Sequence, residues 1–270
     1  MKAFVTLLSD ERYLDGVVVL KRSLLAVKSQ YPLYCVLSAD IEESVEKRLN
    51  QEDIQCIKLT NLVEVPDKIA SEHSYSHWNK TFDKLQIWGL TQFEKLVFLD
   101  SDLLIVNNID SLFEHKSFSG VCAGKSFPGN ASWKGINSGV MVVKPNLEVE
   151  RKLIELIPVV SQECKNKAIP IGDQDVIQRY LTDSWDNTPS LQLDEGYNIF
   201  ADFLKYYIKE LGYSWSDKSD KVIYIVHFIG RAKPWMKLSL RGNCWLLKNM
   251  ICNPYYMTAR RKFRAYLSNK

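Results

Sequence analysis

The sequence has no apolar segment long enough to cross a membrane. None of its 270 residues belongs to a run of the roughly 18 consecutive apolar residues that a membrane-spanning helix requires. The apolar segment 3–8 is also too short for a signal peptide, because charged residues follow it almost at once. These absences favour a protein that is neither membrane-spanning nor exported, and we expect a cytoplasmic location.

Paired cysteines and a strong net charge are also lacking. The six cysteines include no C-x-x-C pair, so they predict neither a disulfide framework nor a zinc site. They are Cys35, Cys56, Cys122, Cys164, Cys244 and Cys252. The formal net charge is only +3, which gives no reason to expect a nucleic-acid partner. A hydrophobic content of 46% is ordinary for a globular chain that can bury a full core.

Two common nucleotide-binding motifs are missing. The first expected strand is not followed by G-x-G-x-x-G, which argues against a dinucleotide-dependent oxidoreductase. The segment 120–126 approaches the P-loop pattern but is one residue short and lies in mid-chain, which argues against a P-loop nucleotidase. A nucleotide, if one is bound, must therefore be held by other means.

Short apolar segments alternate with helical patterns in the first half of the chain. We expect strands at 3–8, 33–37, 54–59 and 95–99, and helices at 13–28, 41–49 and 82–90. The second half is less regular, with strands expected at 139–143 and 222–226 and helices at 147–157 and 175–181. This alternation predicts βαβ units, and no linker divides the chain, so we expect one α/β domain.

The strand expected at 95–99 ends in Asp100-Ser101-Asp102. Ligands of open α/β sheets bind beyond the carboxyl ends of the strands. Two carboxylates this close repel one another unless a cation lies between them, and a hard divalent cation can also hold phosphate oxygens. The alternative is a polar turn, since aspartate and serine are common turn residues.

A second apolar segment ends in His227, which with the two carboxylates makes a plausible manganese ligand set. Gly230, Arg231 and Lys233 follow, and a glycine beside two cations suits a diphosphate, although a solvated loop would look the same. Two further polar, glycine-bearing segments occur at 135–139 and 172–175. The first offers groups suited to sugar hydroxyls, and the second would also serve as a helix N-cap.

Together these segments resemble the retaining glycosyltransferases of family 8, and most closely the glycogenin-like members. The matching motifs span about residues 3–235 in the family's order. They are Phe4-Val5-Thr6-Leu7, Asp100-Ser101-Asp102 with its continuation to residue 113, Asn137-Ser138-Gly139-Val140, Gly172-Asp173-Gln174, Tyr197-Asn198 and the segment 227–235. The resemblance implies a single GT-A (Rossmann-like) domain with a central mixed, mainly parallel sheet flanked by helices.

The same resemblance implies a role for each matching residue. A UDP-sugar donor would be held at its nucleoside by Leu7, Ser9, Asp10 and Tyr13, and at its diphosphate by Gly230 and Lys233. Asp100 and Asp102, with Ser101 between them, and His227 would bind Mn²⁺, with Mg²⁺ as a substitute. Asn137, Ser138, Asp173 and Gln174 would line the donor sugar, with Lys84 meeting the phosphates or the sugar. Asp173, Gln174 and Lys84 would be the catalytic residues.

By resemblance, the implied reaction moves a hexose, most plausibly glucose, to a carbohydrate or protein hydroxyl. Galactosyl transfer, a galactinol-synthase-like reaction and a non-catalytic nucleotide-sugar-binding protein are the alternatives. In an ungapped alignment, Lys205 stands where glycogenin glucosylates its own tyrosine, with Tyr206 and Tyr207 just after it. The family also implies a homodimer.

We expect the glycosyltransferase domain to cover 1–250, with a nucleotide-binding half at 1–115 and an acceptor half at 116–250. The remaining segment, 251–270, is a basic aromatic tail. Such a tail suits peripheral contact with an anionic membrane surface, and the alternative is a surface helix packed by its aromatic side chains.

Overall fold

A computed structural model describes residues 1–64, 76–167, 169–230 and 232–268 of the chain. Its strands are β1 (Lys2–Leu8), β2 (Leu33–Leu37), β3 (Gln55–Lys58), β4 (Lys95–Leu99), β5 (Leu103–Ile105), β6 (Gly120–Val121), β7 (Asn137–Val143), β8 (Ile199–Phe200) and β9 (Ile225–His227). Its α-helices are α1 (Leu14–Ala26), α2 (Glu43–Gln51), α3 (Leu147–Asn166), α4 (Asp173–Asn187), α5 (Leu204–Lys209), α6 (Leu240–Cys252) and α7 (Pro254–Ser268).

The larger of two sheets has the strand order β3-β2-β1-β4-β7-β6. Strands β3, β2, β1 and β4 are parallel, whereas β7 runs antiparallel to β4 and β6 antiparallel to β7. Helices cover both faces of a parallel sheet, which explains why β1, β2 and β4 are read in the sequence as nearly continuous apolar segments. The expected mixed, mainly parallel sheet is confirmed.

The smaller sheet has the order β5-β9-β8. Its central strand β9 pairs antiparallel with β5, where Leu103 faces His227, and parallel with β8, where Phe200 faces His227. The turn of residues 100–102 connects β4 of the larger sheet to β5 of the smaller one. Functional side chains are therefore expected along the seam where the two sheets meet.

The C-terminal helix α7 is packed into the core. Tyr256, Ala259 and Phe263 are buried, and the Phe263 ring stacks on Trp235 with ring centroids 5.2 Å apart. The aromatic side chains of the expected tail thus serve packing to a large extent. No helix among the described residues combines the length and apolarity that a bilayer span would need.

The expected elements are present, with differences in type and extent. Residues 76–89 form a 3₁₀ helix in place of the α-helix expected at 82–90. Helix α3 continues to Asn166, past Pro158, because Leu153, Ile157, Val160 and Cys164 keep burying one face. The strand expected at 222–226 begins only at Ile225. Short strands β5, β6 and β8 and helices α5 and α6 were not anticipated.

Candidate functional site

Three potential metal ligands converge at the seam between the sheets. Asp100 follows β4, Asp102 precedes β5, and His227 ends β9, whose pairing with β5 holds it opposite Leu103. Each offers one ligand atom, and these atoms lie within 4.8 Å of one another. The backbone carbonyl of Asp102 also accepts a hydrogen bond from the Phe228 amide, at 3.1 Å. Strand pairing therefore brings residues 125 or more positions apart into one site.

Each carboxylate uses one oxygen for a lysine and turns the other toward His227. Asp102 places Oδ2 at 2.5 Å from the Nζ of Lys233 and Oδ1 at 3.1 Å from the Nε2 of His227. Asp100 places Oδ1 at 3.0 Å from the Nζ of Lys84 and Oδ2 at 3.9 Å from the same Nε2. The lysines thus orient the carboxylates and leave the oxygen atoms that face the imidazole for a further cation.

The charges of this cluster are strongly coupled. Burial raises the pKa of Asp100, which Lys84 only partly offsets. Burial alone would also raise the pKa of Asp102, but the Lys233 ammonium group beside it holds that pKa well below its usual range. Burial opposes the charge of Lys84 as well, yet Asp100 and Asp173 raise the pKa of its ammonium group overall. At neutral pH, Asp102 is therefore a carboxylate and Lys84 is a cation.

Lys84 also connects the metal ligands to the start of helix α4. Its Nζ lies 2.8 Å from the Oδ2 of Asp173, and the hydroxyl of Ser138 donates to the same oxygen at 2.8 Å. Asp175, three residues beyond Gly172, accepts the Gly172 amide at 2.8 Å and so caps the helix. The two acids of this segment therefore have different roles: Asp175 caps the helix, and Asp173 contacts Lys84 at the site.

The amide side chain of Gln174 is held on the same side. Its Oε1 accepts from the Nδ2 of Asn137 at 3.0 Å and from the backbone amide of Ser138 at 3.1 Å. Asn137 and Ser138 open strand β7, which pairs with β4. The residues expected to line the donor sugar are thus all brought beside Lys84 and Asp100.

The expected nucleoside and diphosphate residues lie at the other side of Asp102. The Nζ of Lys233 sits 5.5 Å from the ring centroid of Tyr13, and the Tyr13 ring meets Trp235 edge-on. The indole of Trp235 donates to the Arg12 carbonyl at 2.7 Å, which ties the segment after β9 to the segment after β1. Tyr13, Lys233 and Asp102 therefore form one continuous path toward the metal ligands.

Other expected residues are placed less directly. Leu7 lies in β1 and Ser9 just after it, at the edge of the sheet where β4 also ends. Asp10 caps the turn 11–13, and its carboxylate is paired with the Arg12 guanidinium, which lowers its pKa. Gly230 has φ +79° and open space where a side chain would be. Arg231 lies outside the described residues.

Two glycines and one asparagine of the site carried no specific role in the sequence interpretation. A Cβ on Gly139 would lie 2.7 Å from His227 Cε1 and 3.0 Å from Asp100 Oδ2. A Cβ on Gly16 would lie 2.2 Å from the Ser101 carbonyl oxygen. The Asn198 amide oxygen is 2.9 Å from the Nδ1 of His227. A glycine inside helix α1 is a sequence signal that could have indicated this close approach, since glycine weakens helices.

The three ligand residues suit a divalent cation. Two carboxylate oxygens and an imidazole nitrogen form a donor set that can bind a divalent cation such as Mn²⁺ or Mg²⁺. Lys84 and Lys233 already occupy the outer carboxylate oxygens, so a bound cation would use the inner ones. The positions of the metal ligands also depend on having a glycine at residue 139, because a methyl group there would press on Asp100 and His227.

A family model described as glycosyl transferase family 8 matches residues 4–239. Among curated proteins, the chain is 30% identical over 246 residues to glycogenin-1 of Caenorhabditis elegans and 31% identical over 240 residues to glycogenin-1 of Mus musculus. These matches cover 87% of this chain but 51% and 65% of the relatives. The chain thus spans between half and two thirds of the length of these proteins.

Solved structures share the fold at lower sequence identity. The galactosyltransferase LgtC in complex with donor and acceptor sugar analogs superposes with a TM-score of 0.59 at 16% identity, covering 96% of this chain and 95% of that one. The apo-form glycosyltransferase GlyE of Streptococcus pneumoniae gives a TM-score of 0.56 at 19% identity, covering 98% and 64%. These likenesses establish a GT-A fold.

Proposed function

The chain belongs to glycosyl transferase family 8, and from that premise we propose that it is a retaining hexosyltransferase that uses a UDP-sugar and Mn²⁺. Glucose is our choice of sugar, because glycogenin-1 sequences of two animals match the chain at 30% and 31% identity. The observation that carries the proposal is the convergence of Asp100, Asp102 and His227, with Lys84 and Lys233 on the outer carboxylate oxygens.

We assign the donor a path along the seam. The uracil would stack on Tyr13, and the diphosphate would lie between Lys233, Gly230 and the metal ligands. The glycine has φ +79° and open space on its side-chain side, so a phosphate oxygen can approach its backbone. The hexose would then reach Asp173 and Gln174 on the opposite side of Asp100, where Lys84 and Ser138 hold Asp173.

In the proposed reaction, the bond between the anomeric carbon and the diphosphate breaks and negative charge develops on the leaving oxygen. A divalent ion bound by Asp100, Asp102 and His227 would supply Lewis-acid stabilisation of that charge. Lys233, whose Nζ lies 2.5 Å from the Oδ2 of Asp102, would add a second cation beside it. The anomeric carbon becomes oxocarbenium-like, and a nearby carboxylate stabilises it. Asp173 is better suited than Gln174 to stabilise the anomeric carbon. The Oε1 of Gln174 already accepts two hydrogen bonds, which use its lone pairs.

For the acceptor, we propose a separate hydroxyl-bearing molecule. Tyr207 is fully buried and its hydroxyl donates to Glu195, so it is not positioned to receive a sugar. Tyr206 is half-buried, with its ring edge against Phe127. Lys205 is exposed but lacks a hydroxyl. Self-glucosylation would therefore have to use Tyr206 or a residue elsewhere in the chain.

The decisive experiment measures UDP release from UDP-glucose and from UDP-galactose with Mn²⁺, with Mg²⁺ and with EDTA. We expect release with Mn²⁺, faster with UDP-glucose, and none with EDTA. Mass spectrometry of the protein before and after the reaction would show added hexoses if the chain modifies itself. Release of UDP from no nucleotide-sugar at all would favour the alternative, a non-catalytic nucleotide-sugar-binding protein on the same fold.

We also propose that the C-terminal region rests on an anionic membrane surface. Residues 221–270 contain eleven Lys or Arg residues and no Asp or Glu. Helix α6 exposes Leu240, Leu247 and Ile251 at helical spacing, by 87%, 60% and 85%. The exposed cations Arg261 and Arg264 lie on α7. An exposed apolar stripe on one helix and exposed cations on the next suit contact with an anionic membrane surface. Homodimerisation and a cytoplasmic location stay predictions.

Co-flotation with vesicles of phosphatidylglycerol and phosphatidylcholine tests the membrane proposal. Deleting α7 would be a poor test, because its buried aromatic side chains belong to the core. The double change Leu247→Ser with Ile251→Ser should reduce flotation and leave UDP release intact. Unmodified protein that ignores anionic vesicles at low salt would end this proposal without touching the proposed reaction.

A further inference from the structure

We propose that Asn198 is a positioning residue that fixes the imidazole of His227 with a bare Nε2 facing the metal. The inference rests on the proposed metal site and adds to it a residue that contacts one of the three ligands. Asn198 is fully buried, immediately precedes β8, and reaches His227 through the pairing of β8 with β9. In the described part of the chain, its side chain forms no hydrogen bond with Asp100 or Asp102. It would therefore act through His227.

The direction of the hydrogen bonds follows from two backbone amides, which can only donate. The Gly139 amide donates to the Oδ1 of Asn137 at 3.1 Å, so that atom is an acceptor. The Ser138 amide donates to the Oε1 of Gln174 at 3.1 Å, and that oxygen also receives the Nδ2 of Asn137 at 3.0 Å. The orientation of the Asn137 amide is thus set from both of its ends.

Asn137 in turn orients Asn198. Because the Oδ1 of Asn137 is an acceptor, the group of Asn198 that lies 2.8 Å from it must be the donating Nδ2. The Oδ1 of Asn198 then faces the Nδ1 of His227 at 2.9 Å and accepts a hydrogen bond from it. The proton of a neutral His227 is consequently on Nδ1.

This tautomer has a consequence for the cation site. With its proton on Nδ1, His227 presents the lone pair of Nε2 to the Oδ1 of Asp102, 3.1 Å away. Two lone pairs at that distance repel one another, and a cation between them converts the repulsion into coordination. Asn198 thus prepares His227 as a ligand and keeps it from donating a hydrogen bond to the carboxylate that should share its cation.

Binding of Mn²⁺, measured by isothermal titration calorimetry in the presence of UDP, tests the inference. Asn198→Leu keeps the branched shape of the side chain but removes the acceptor, and we expect about 10- to 100-fold weaker binding, the usual cost of losing such a partner. Asn198→Asp keeps an acceptor for Nδ1 but sets its second oxygen against the Oδ1 of Asn137, so we expect a loss of Mn²⁺ affinity that is clearly smaller than in the leucine variant. Asn107→Leu is the matched control, since among the described residues the Asn107 amide donates to the backbone carbonyls of Trp215 and Ile223.

A purely structural role for Asn198 would weaken Mn²⁺ binding equally in the leucine and aspartate variants, and that result would overturn the inference. Unchanged binding in the leucine variant would overturn it as well. A second readout needs no metal: ¹⁵N chemical shifts of the imidazoles in the metal-free protein should place the His227 proton on Nδ1, and Asn198→Leu should remove that preference. A proton on Nε2 in the unmodified protein would refute the inference even if Mn²⁺ and donor turnover behave as proposed.

Discussion

The two sheets of this protein divide structural and chemical work between them. The six-stranded sheet is built largely from buried apolar strands: β1 and β4 each carry one charged side chain, at their first residue, and β2 carries none. The three-stranded sheet has strands of two or three residues, yet Asp102, Asn198 and His227 lie in it or directly beside it, all buried. The smaller sheet thus carries more of the buried polar groups of the site.

This difference has a physical basis. Burying a charged or polar group costs free energy unless it is paired, whereas burying apolar side chains stabilises the fold. The larger sheet and its helices supply that apolar burial. The smaller sheet can then hold a polar network at the seam, where each group has partners: Lys233 for Asp102, Asn198 for His227, and Lys84 for Asp100. Changes at the seam should therefore alter activity more than stability, and changes within the larger sheet the reverse.

The largest effect is expected for Asp102→Ala at the seam. The change removes a metal ligand and the partner of Lys233, so UDP release with Mn²⁺ should fall by roughly three orders of magnitude or more. Far-UV circular dichroism should still show a folded protein. Asp217→Ala, on an exposed loop, is the control and should behave as the unmodified protein. Activity that survives Asp102→Ala, or survives EDTA, would contradict the proposed role of the metal.

The opposite behaviour is expected for Leu37→Ala in the larger sheet. Leu37 is fully buried at the end of β2, so truncation should lower the free energy of unfolding by about 2–5 kcal/mol. Urea unfolding measures this loss. Donor turnover per folded molecule and Mn²⁺ affinity should not change. Leu25→Ala, at a position 60% exposed, is the control and should cost far less. A large loss of Mn²⁺ affinity in Leu37→Ala would contradict the expectation that changes within the larger sheet alter stability and not the site.

The larger sheet could be predicted from the sequence because its strands are long and apolar. The bounds of β2 and β4 agree with the expected segments, since a strand buried on both faces has an unmistakable composition. Strands β5 and β8 were missed because two or three residues carry too little periodicity. The segment around Lys84 was expected to be an α-helix, and the 3₁₀ geometry that delivers Lys84 to two carboxylates has no separate signature in the sequence.

The candidate site was predictable only in part, and for a different reason. The triplet of residues 100–102 at a strand end indicated a cation, His227 at the end of another apolar segment suggested a third ligand, and the resemblance to a family supported that grouping. Spacing alone could not have done so, because the partner of Leu103 is set by the register of β5 against β9. The roles of Lys84 as a bridge between Asp100 and Asp173, and of Asn198 behind His227, depend on contacts between segments far apart in the chain.

The smallest of the three effects is expected for Gly139→Ala, which tests how closely the two sheets must approach. Gly139 belongs to β7 of the larger sheet, yet the added methyl group would press on Asp100 and on His227 of the smaller one. Displacing these ligands by a few tenths of an ångström to one ångström should lower the rate of Mn²⁺-dependent UDP release by roughly 10- to 100-fold. Gly129→Ala, whose methyl group would meet the Phe127 ring at 3.3 Å and no other described residue within 4 Å, is the matched control. Equal activity of the two variants would mean that residues at the seam move to accommodate the added methyl group. The bound cation, more than the packing of the two sheets, would then set the geometry of its ligands.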